Sequence, residues 1–93
     1  MVVLFSCKKE KKAPLPIADF FVEVVSCNDS ICSLKLYDNS QNAVGWEWRV
    51  DGKTLSSLEN FTTELPVGGV YKIVLKVKNL DNIEDVKTKT VSI

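Results

Sequence analysis

The most regular pattern in this chain is an alternation of hydrophobic and polar residues between Gly69 and Asn79. Odd positions of this stretch are aromatic or aliphatic and even positions are mostly lysines: Tyr71, Ile73, Leu75 and Val77 against Lys72, Val74, Lys76 and Lys78. A two-residue period with β-branched and aromatic residues on one side is typical of a strand with one buried face. The sequence therefore predicts a strand here, after a turn at Gly68-Gly69 and before a polar turn from Asn79 to Asn82.

Shorter stretches with the same period predict strands at residues 18–25, 33–38, 44–50, 53–55, 61–65 and 83–93. No stretch has the i, i+3, i+4 spacing of a helix, and turn signals such as Asp51-Gly52 separate the strands. The side chains predicted to face inward in the first three are Ala18, Phe20, Val22, Val24, Leu34, Leu36, Val44, Trp46, Trp48 and Val50. Residues 83–93 do not keep one hydrophobic parity, so we predict a bulge near 89–91. These features predict an all-β fold, an antiparallel β-sandwich of about seven strands with 44–50 in a central position.

Two cysteines, Cys27 and Cys32, bracket a polar turn between the first two predicted strands. If these strands pair as a hairpin, the thiols lie near each other at its end, and a disulfide requires Cα atoms within about 7 Å. We predict a disulfide, the alternative being two free buried thiols. Without histidine, two cysteines supply too few ligands for a metal site, and their spacing is not that of a C-x-x-C redox motif.

Composition argues against several classes of function. Lys+Arg and Asp+Glu are balanced at 12 each, and a basic cluster stands ahead of the predicted fold at Lys8, Lys9, Lys11 and Lys12. The predicted folded part therefore lacks the basic surface of a nucleic-acid-binding protein. The chain has no histidine, which removes the usual general base and the commonest metal ligand. We expect no catalytic residue, no cofactor, no metal site and no nucleic-acid partner.

The N-terminal segment resembles the lipobox of bacterial lipoproteins. Leu4-Phe5-Ser6-Cys7 ends in a small residue followed by cysteine, and a lysine-rich tether follows at 8–12. The resemblance implies cleavage before Cys7 and attachment of this cysteine to a membrane through acyl chains. Residues 1–6 are too short for a whole signal peptide and lack its basic start, unless the true start lies upstream of Met1. The alternative is a disordered N-terminus with an incidental cysteine. We divide the chain into a truncated signal, lipobox and tether at 1–15 and a folded domain at 16–93.

Residues 16–93 resemble a PKD (polycystic kidney disease repeat) domain, which is an immunoglobulin-like sandwich. The most specific match is Gly69 to Asn79, which resembles the family signature Gly-x-Tyr-x-Val-x-Leu-x-Val-x-Asn. Weaker matches are 16–20, 34–40 and 46–52, where Val50-Asp51-Gly52 shortens the family's Phe-Gly-Asp-Gly. The resemblance implies a non-catalytic module of extracellular or cell-surface proteins, acting as a spacer or binding proteins or polysaccharides.

Three aromatic residues are the candidate ligand-binding residues: Trp46, Phe21 and Tyr37. Trp46 and Trp48 form a possible sugar-stacking platform, but their shared parity with Val44 and Val50 favours the core. Trp46 lies nearer the start of its strand, so we expect it to be the more exposed indole.

Two groups of charged residues, one acidic and one basic, each allow a binding interpretation and a structural one. Carboxylates at Asp38, Asp51 and Asp81 offer oxygen ligands for calcium, but they lie in separate turns, where capping of backbone amides is the simpler interpretation. Lysines 72, 76 and 78 form a surface for an acidic partner or make cross-strand ion pairs with the 44–50 strand.

These observations lead to three hypotheses of function. The first is a lipid-anchored PKD-like module of the bacterial cell envelope, periplasmic or at the outer surface, for binding a protein or polysaccharide or for spacing. The second is a structural subunit or fragment of a larger surface assembly, without a ligand of its own. The third is a small hydrolase using scattered carboxylates, which needs a cleft that a small packed sandwich is not expected to offer.

Overall fold

The computed structural model of this protein describes residues 12–93. They form seven antiparallel strands in two sheets. The strands are β1 (Phe20–Cys27), β2 (Ile31–Asp38), β3 (Gly45–Val50), β4 (Lys53–Ser56), β5 (Phe61–Pro66), β6 (Val70–Lys78) and β7 (Glu84–Ser92). One sheet has the order β1-β2-β5 and the other has the order β4-β3-β6-β7. The predicted all-β, seven-stranded sandwich is confirmed, and the 44–50 strand is central, between β4 and β6.

The core lies between the two sheets and follows the predicted parities closely. Trp48 is fully buried and packs edge-on against Phe20, with ring centroids 5.2 Å apart. Its indole Nε1 donates a hydrogen bond to the carbonyl oxygen of Leu58 at 2.8 Å, so its one polar atom has a partner. The other fully buried apolar side chains come from both layers: Leu34, Leu36, Ile73, Leu75 and Val77.

Two tight connections form as the sequence predicts. Asp51 and Gly52 both adopt positive φ, at 50° and 85°, which is the backbone of a two-residue hairpin turn between β3 and β4. Cys27 and Cys32 are cross-strand partners at the end of the β1–β2 hairpin and form a disulfide. The disulfide prediction is therefore confirmed.

Two residues predicted for the core lie at the surface instead. Val24 is 47% exposed because β1 is an edge strand whose register with β2 shifts between Val24 and Ser26. Val44 is 54% exposed because β3 begins only at Gly45, so Val44 belongs to the preceding loop. Parity alone reveals neither a register shift within a strand, as at Val24, nor the residue at which a strand begins, as at Val44.

The predicted bulge near 89–91 is wrong. β7 pairs with β6 without interruption from Glu84 to Ser92. Its inward positions instead accommodate polar groups, because the strand forms an edge of its sheet and faces the start of β1. Asp85 Oδ2 accepts a hydrogen bond from the backbone N–H of Ala18 at 2.8 Å, and Lys89 Nζ donates one to the carbonyl oxygen of Phe20 at 2.5 Å.

Candidate functional site

One end of the sandwich, here called the linker end, gathers four segments that are distant in sequence. They are the linker at 13–17 and the connections β2–β3 at 39–44, β4–β5 at 57–60 and β6–β7 at 79–83. An isolated bridge between Ile17 and Gln41 ties the linker to the β2–β3 connection. At the opposite end lie the disulfide and the turns β1–β2, β3–β4 and β5–β6.

Side chains of the linker end hold the linker through its backbone. Asn79, which is 1% exposed, donates from Nδ2 to the carbonyl oxygen of Pro14 at 2.9 Å. Asp81 Oδ2 accepts from the N–H of Ala13 at 2.9 Å, and Asn42 Nδ2 donates to the carbonyl oxygen of Leu15 at 3.0 Å. The chain therefore enters the domain along a fixed path.

A pocket of about 290 Å³ opens beside this path, close to the lower limit of typical ligand sites. We call it the linker-end pocket. Its walls combine apolar and polar groups from all four segments: Ala13, Pro14, Asp38, Ser40, Asn42, Ala43, Val44, Trp46, Glu59, Asn79 and Leu80. Leu80 is 77% exposed and, like Val44, leaves apolar surface open to solvent around the pocket. In the part of the chain that the structure describes, the charged lining residues are Asp38 and Glu59, both acidic.

Trp46 is the sequence-predicted candidate that lines this pocket. The ring is partly buried and packs against the edge of the core, so it is more exposed than Trp48, as expected. Its indole Nε1 is buried without a hydrogen-bond partner within residues 12–93. A buried donor without an acceptor loses its hydration free energy without compensation. The indole N–H of Trp46 is in this position, whereas that of Trp48 is hydrogen-bonded.

Phe21 and Tyr37, the other two candidates, come together elsewhere. They are cross-strand partners of β1 and β2 on the outer face of the three-stranded sheet. The Tyr37 hydroxyl donates to Glu23 Oε1 at 2.7 Å, and this hydrogen bond raises the pKa of Tyr37 above its ordinary value. A shallow hollow of about 140 Å³ adjoins Tyr37, between β2 and the start of β5. The structure thus separates this aromatic pair from Trp46.

The outer face of the four-stranded sheet carries ion pairs. Lys76 Nζ lies 3.4 Å from Glu47 Oε1 and 3.9 Å from Glu84 Oε2, and Lys78 lies 3.7 Å from Glu84. Arg49 Nε donates to Glu47 Oε2 at 2.7 Å, and this hydrogen bond is the main reason that the pKa of Glu47 lies below its ordinary value. The predicted pairing with the 44–50 strand is confirmed for Lys76, whereas Lys78 pairs with Glu84 of β7 instead.

The three carboxylates considered for calcium lie apart and cap backbone amides. Asp38 Oδ1 accepts from the N–H of Ser40, Asp51 Oδ1 from that of Lys72, and Asp81 from Ala13. Within residues 12–93, no group of three or more Cys, Asp or Glu side chains is placed to hold a metal ion.

The predicted lipidation site, Cys7, lies outside the described residues. The part of the chain from Lys12 onward contains no helix long and apolar enough to cross a membrane. Sequence reasoning missed Val44, Glu59 and Leu80 as pocket residues. A signal existed only for Leu80, a large apolar residue within the polar turn that follows β6.

Comparison with solved structures identifies the same fold in two bacterial proteins. The chain superimposes on the PKD1 domain of the Vibrio cholerae metalloprotease PrtV with a TM-score of 0.71, at 22% identity over 86% of this chain and 98% of that domain. For the PKD1 domain of Vibrio anguillarum Epp, the TM-score is 0.70, at 18% identity over 88% of this chain and 96% of that one. No protein-family model and no curated protein sequence matches the chain. The PKD-type sandwich implied by the sequence is therefore confirmed as its fold.

Proposed function

We propose that this chain, which has the fold of a PKD domain, is a non-catalytic module held at the bacterial cell envelope by lipidated Cys7, where it binds a protein or polysaccharide. The observation that carries this proposal is the fixed linker. Ala13, Pro14 and Leu15 are hydrogen-bonded to the linker end, which fixes the point at which the chain that follows Cys7 enters the domain. A module presented in this way keeps its other faces open to partners.

The disulfide supports export of the domain. Disulfides persist in oxidising compartments and are rare in the cytosol. Cys27 and Cys32 are bonded at the far end of the domain, which leaves Cys7 as the one remaining cysteine of the chain for lipid attachment. The occurrence of the fold in a domain of a Vibrio metalloprotease agrees with use as an accessory module.

Mass spectrometry of the mature N-terminus tests the anchor. In cells that make the protein, we expect a chain that begins at Cys7 with lipid on its sulfur and amino group and that fractionates with membranes. Its precursor is expected to accumulate when globomycin inhibits lipoprotein signal peptidase. Cys7→Ser is expected to abolish both processing and membrane fractionation. Recovery of an intact Met1 with unmodified Cys7 would remove the anchor and the proposed location.

Ligand screening of the purified chain tests the binding role. The aromatic pair Phe21 and Tyr37 and the linker-end pocket are the two candidate surfaces. We expect binding to a glycan on an array or retention of an envelope protein in a pull-down, reduced by Phe21→Ser or by substitutions in the pocket. A chain that retains nothing in either assay acts as a spacer only.

One observation favours the small hydrolase as a second candidate. Asp38 and Glu59 line the same pocket, and a pair of carboxylates is the minimal apparatus of many glycosidases. Asp38, however, already accepts the N–H of Ser40 at 3.0 Å and so shapes the turn. Mass spectrometry of oligosaccharides incubated with the chain decides the matter: cleavage products that disappear with Glu59→Gln would establish the enzyme and overturn the non-catalytic module.

A further inference from the structure

The linker-end pocket has a lining that favours one kind of ligand. Its walls are apolar at Pro14, Val44 and Leu80, and the charged groups that residues 12–93 contribute to its lining are the carboxylates of Asp38 and Glu59. A pocket with apolar sides and a negative potential favours a group that has an aliphatic stem and a cationic end. Lysine and arginine side chains have this form.

Trp46 adds a second, independent feature. Its ring lines the pocket, and aromatic rings attract cations held within about 6 Å of the centroid. Its Nε1 has no hydrogen-bond partner within the described chain, whereas Trp48 Nε1 is bonded to Leu58 at 2.8 Å. The Trp46 N–H therefore has no acceptor within residues 12–93, so its signal can be compared with that of Trp48 as a reporter of the pocket.

We infer that the linker-end pocket binds a basic segment of a partner protein. A lysine or arginine stem lies against Leu80 and Val44, and its charged end lies near Asp38 and Glu59. The inference rests on the proposed binding role and specifies it, because it names a protein with exposed basic residues and not a polysaccharide as the ligand of this pocket. It is independent of the lipid anchor.

Nuclear magnetic resonance of the full 93-residue oxidised chain provides the direct test, because the two indole N–H signals report separately. Acetyl-Lys-Lys-Lys-amide is titrated into the protein. We expect it to shift the Trp46 indole signal but not that of Trp48, with an affinity that falls as salt is added. Acetyl-Glu-Glu-Glu-amide, maltohexaose and chitohexaose are titrated in the same way and are expected to leave the Trp46 signal unchanged.

Matched charge variants separate the pocket from general attraction. Asp38→Asn combined with Glu59→Gln retains the shapes of both side chains and the acceptor for Ser40, and is expected to lower the affinity for the lysine peptide about tenfold. Asp29→Asn combined with Glu64→Gln makes the same charge change in the β1–β2 turn and on β5, and is expected to alter affinity by less than about twofold. The tether precedes Ala13, a residue of the pocket wall, so its own lysines are tested as well. A chain in which they are changed to glutamine is titrated in parallel: Lys8, Lys9, Lys11 and Lys12.

The inference is supported if the lysine peptide binds the wild-type chain or the chain with the changed tether, and if this binding depends on Asp38 and Glu59. Three results would overturn it: no shift of the Trp46 signal in either chain, equal loss of affinity in the two charge variants, or a shift caused by the oligosaccharides alone. Each of these results leaves the proposed function intact, because Phe21 and Tyr37 offer a second candidate surface. An unlipidated chain from cells would instead refute the anchor and leave the pocket inference unaffected.

Discussion

Asn79 and Pro14 lie 65 positions apart and are joined by a hydrogen bond of 2.9 Å from Asn79 Nδ2 to the Pro14 carbonyl oxygen. The other end of the same amide, Oδ1, accepts the N–H groups of Asp81 and Ile83 at 2.9 and 3.0 Å. One buried side chain therefore shapes the β6–β7 turn and fixes the linker against it. The last residue of the Gly-x-Tyr signature is thus a junction between the domain and its tether.

The first prediction separates these two roles of Asn79. Asn79→Asp keeps the oxygen that accepts from Asp81 and Ile83 but replaces the donor that faces Pro14 with a second acceptor. We expect the domain to stay folded while the linker is released, seen as faster amide hydrogen exchange at Ala13 with little change at Ile83. Asn79→Ala removes all three bonds and is expected to lower the free energy of unfolding by about 2–3 kcal/mol. Equal exchange at Ala13 in wild type and Asn79→Asp would contradict this assignment.

The second prediction concerns Gly69 and the ring of Tyr71. A Cβ atom added at Gly69 would lie 2.6 Å from the Tyr71 Cζ and Oη atoms, which is closer than real Cβ contacts allow. Gly69→Ala must therefore displace the ring and weaken the hydrogen bond from the Tyr71 hydroxyl to the Pro66 carbonyl, which is 2.8 Å long. We expect a loss of about 1–3 kcal/mol in urea denaturation, as for overpacking elsewhere.

Gly45→Ala is the matched control for this prediction. A Cβ at Gly45 would meet the Cβ of Lys78 at 3.8 Å, an ordinary contact, so the substitution is expected to change stability little. Combining Gly69→Ala with Tyr71→Val removes the ring and should cancel most of the loss, as a double-mutant cycle shows. A full loss that persists in the double variant would mean that the Tyr71 ring is not the cause.

The sequence predicted those parts of the fold that depend on local pattern. The parity of β6 placed Ile73, Leu75 and Val77 in the core because a central strand is covered along its whole length. The pattern failed at Val24 and on β7, which lie on edge strands, and at Val44, which precedes the first residue of β3. Lys89 faces inward because the start of β1 offers it the carbonyl oxygen of Phe20. Such a partner, 69 residues away, leaves no trace in the local alternation.

The linker-end pocket was less predictable than the fold. Four segments create it, and only their meeting brings Asp38, Glu59 and Leu80 together. Trp46 was identified because it is aromatic and close to the start of a strand. Phe21 and Tyr37 were identified singly, and their pairing followed only from the β1–β2 register.

The third prediction concerns the disulfide. Replacing Cys27 and Cys32 together with alanine opens a loop of only a few residues, for which the chain-entropy model gives a loss of about 2 kcal/mol. Alanine suits the 2%-exposed site of Cys32 because it buries no hydroxyl group. Urea denaturation with and without reductant checks this: reductant should destabilise the wild type by a similar amount and have no effect on the double variant. A wild type indifferent to reductant would show that the thiols are unpaired.

The fourth prediction concerns pH and Asp19. The backbone N–H of Phe20 donates to Asp19 Oδ1 at 2.9 Å, and Lys89 Nζ lies 3.6 Å from the same oxygen. The pKa of Asp19 lies below its ordinary value, chiefly because of the hydrogen bond from Phe20. The positive charge of Lys89 lowers it further. The carboxylate is therefore more stable in the folded than in the unfolded chain. Its contribution to stability is present above the unfolded pKa, about 3.9, and is lost as pH falls through the lower folded value.

Asp19→Asn removes this contribution without adding bulk. We expect the difference in unfolding free energy between wild type and Asp19→Asn to be constant above about pH 5 and to shrink as the pH falls below about 4. Glu47, whose pKa is also lowered, stays in both proteins and keeps part of the acid dependence in each. Asp29→Asn, in the β1–β2 turn and away from Lys89, serves as the control and should run parallel to wild type. Equal pH profiles for Asp19→Asn and wild type would show that the contact with Phe20 and Lys89 does not stabilise the folded carboxylate.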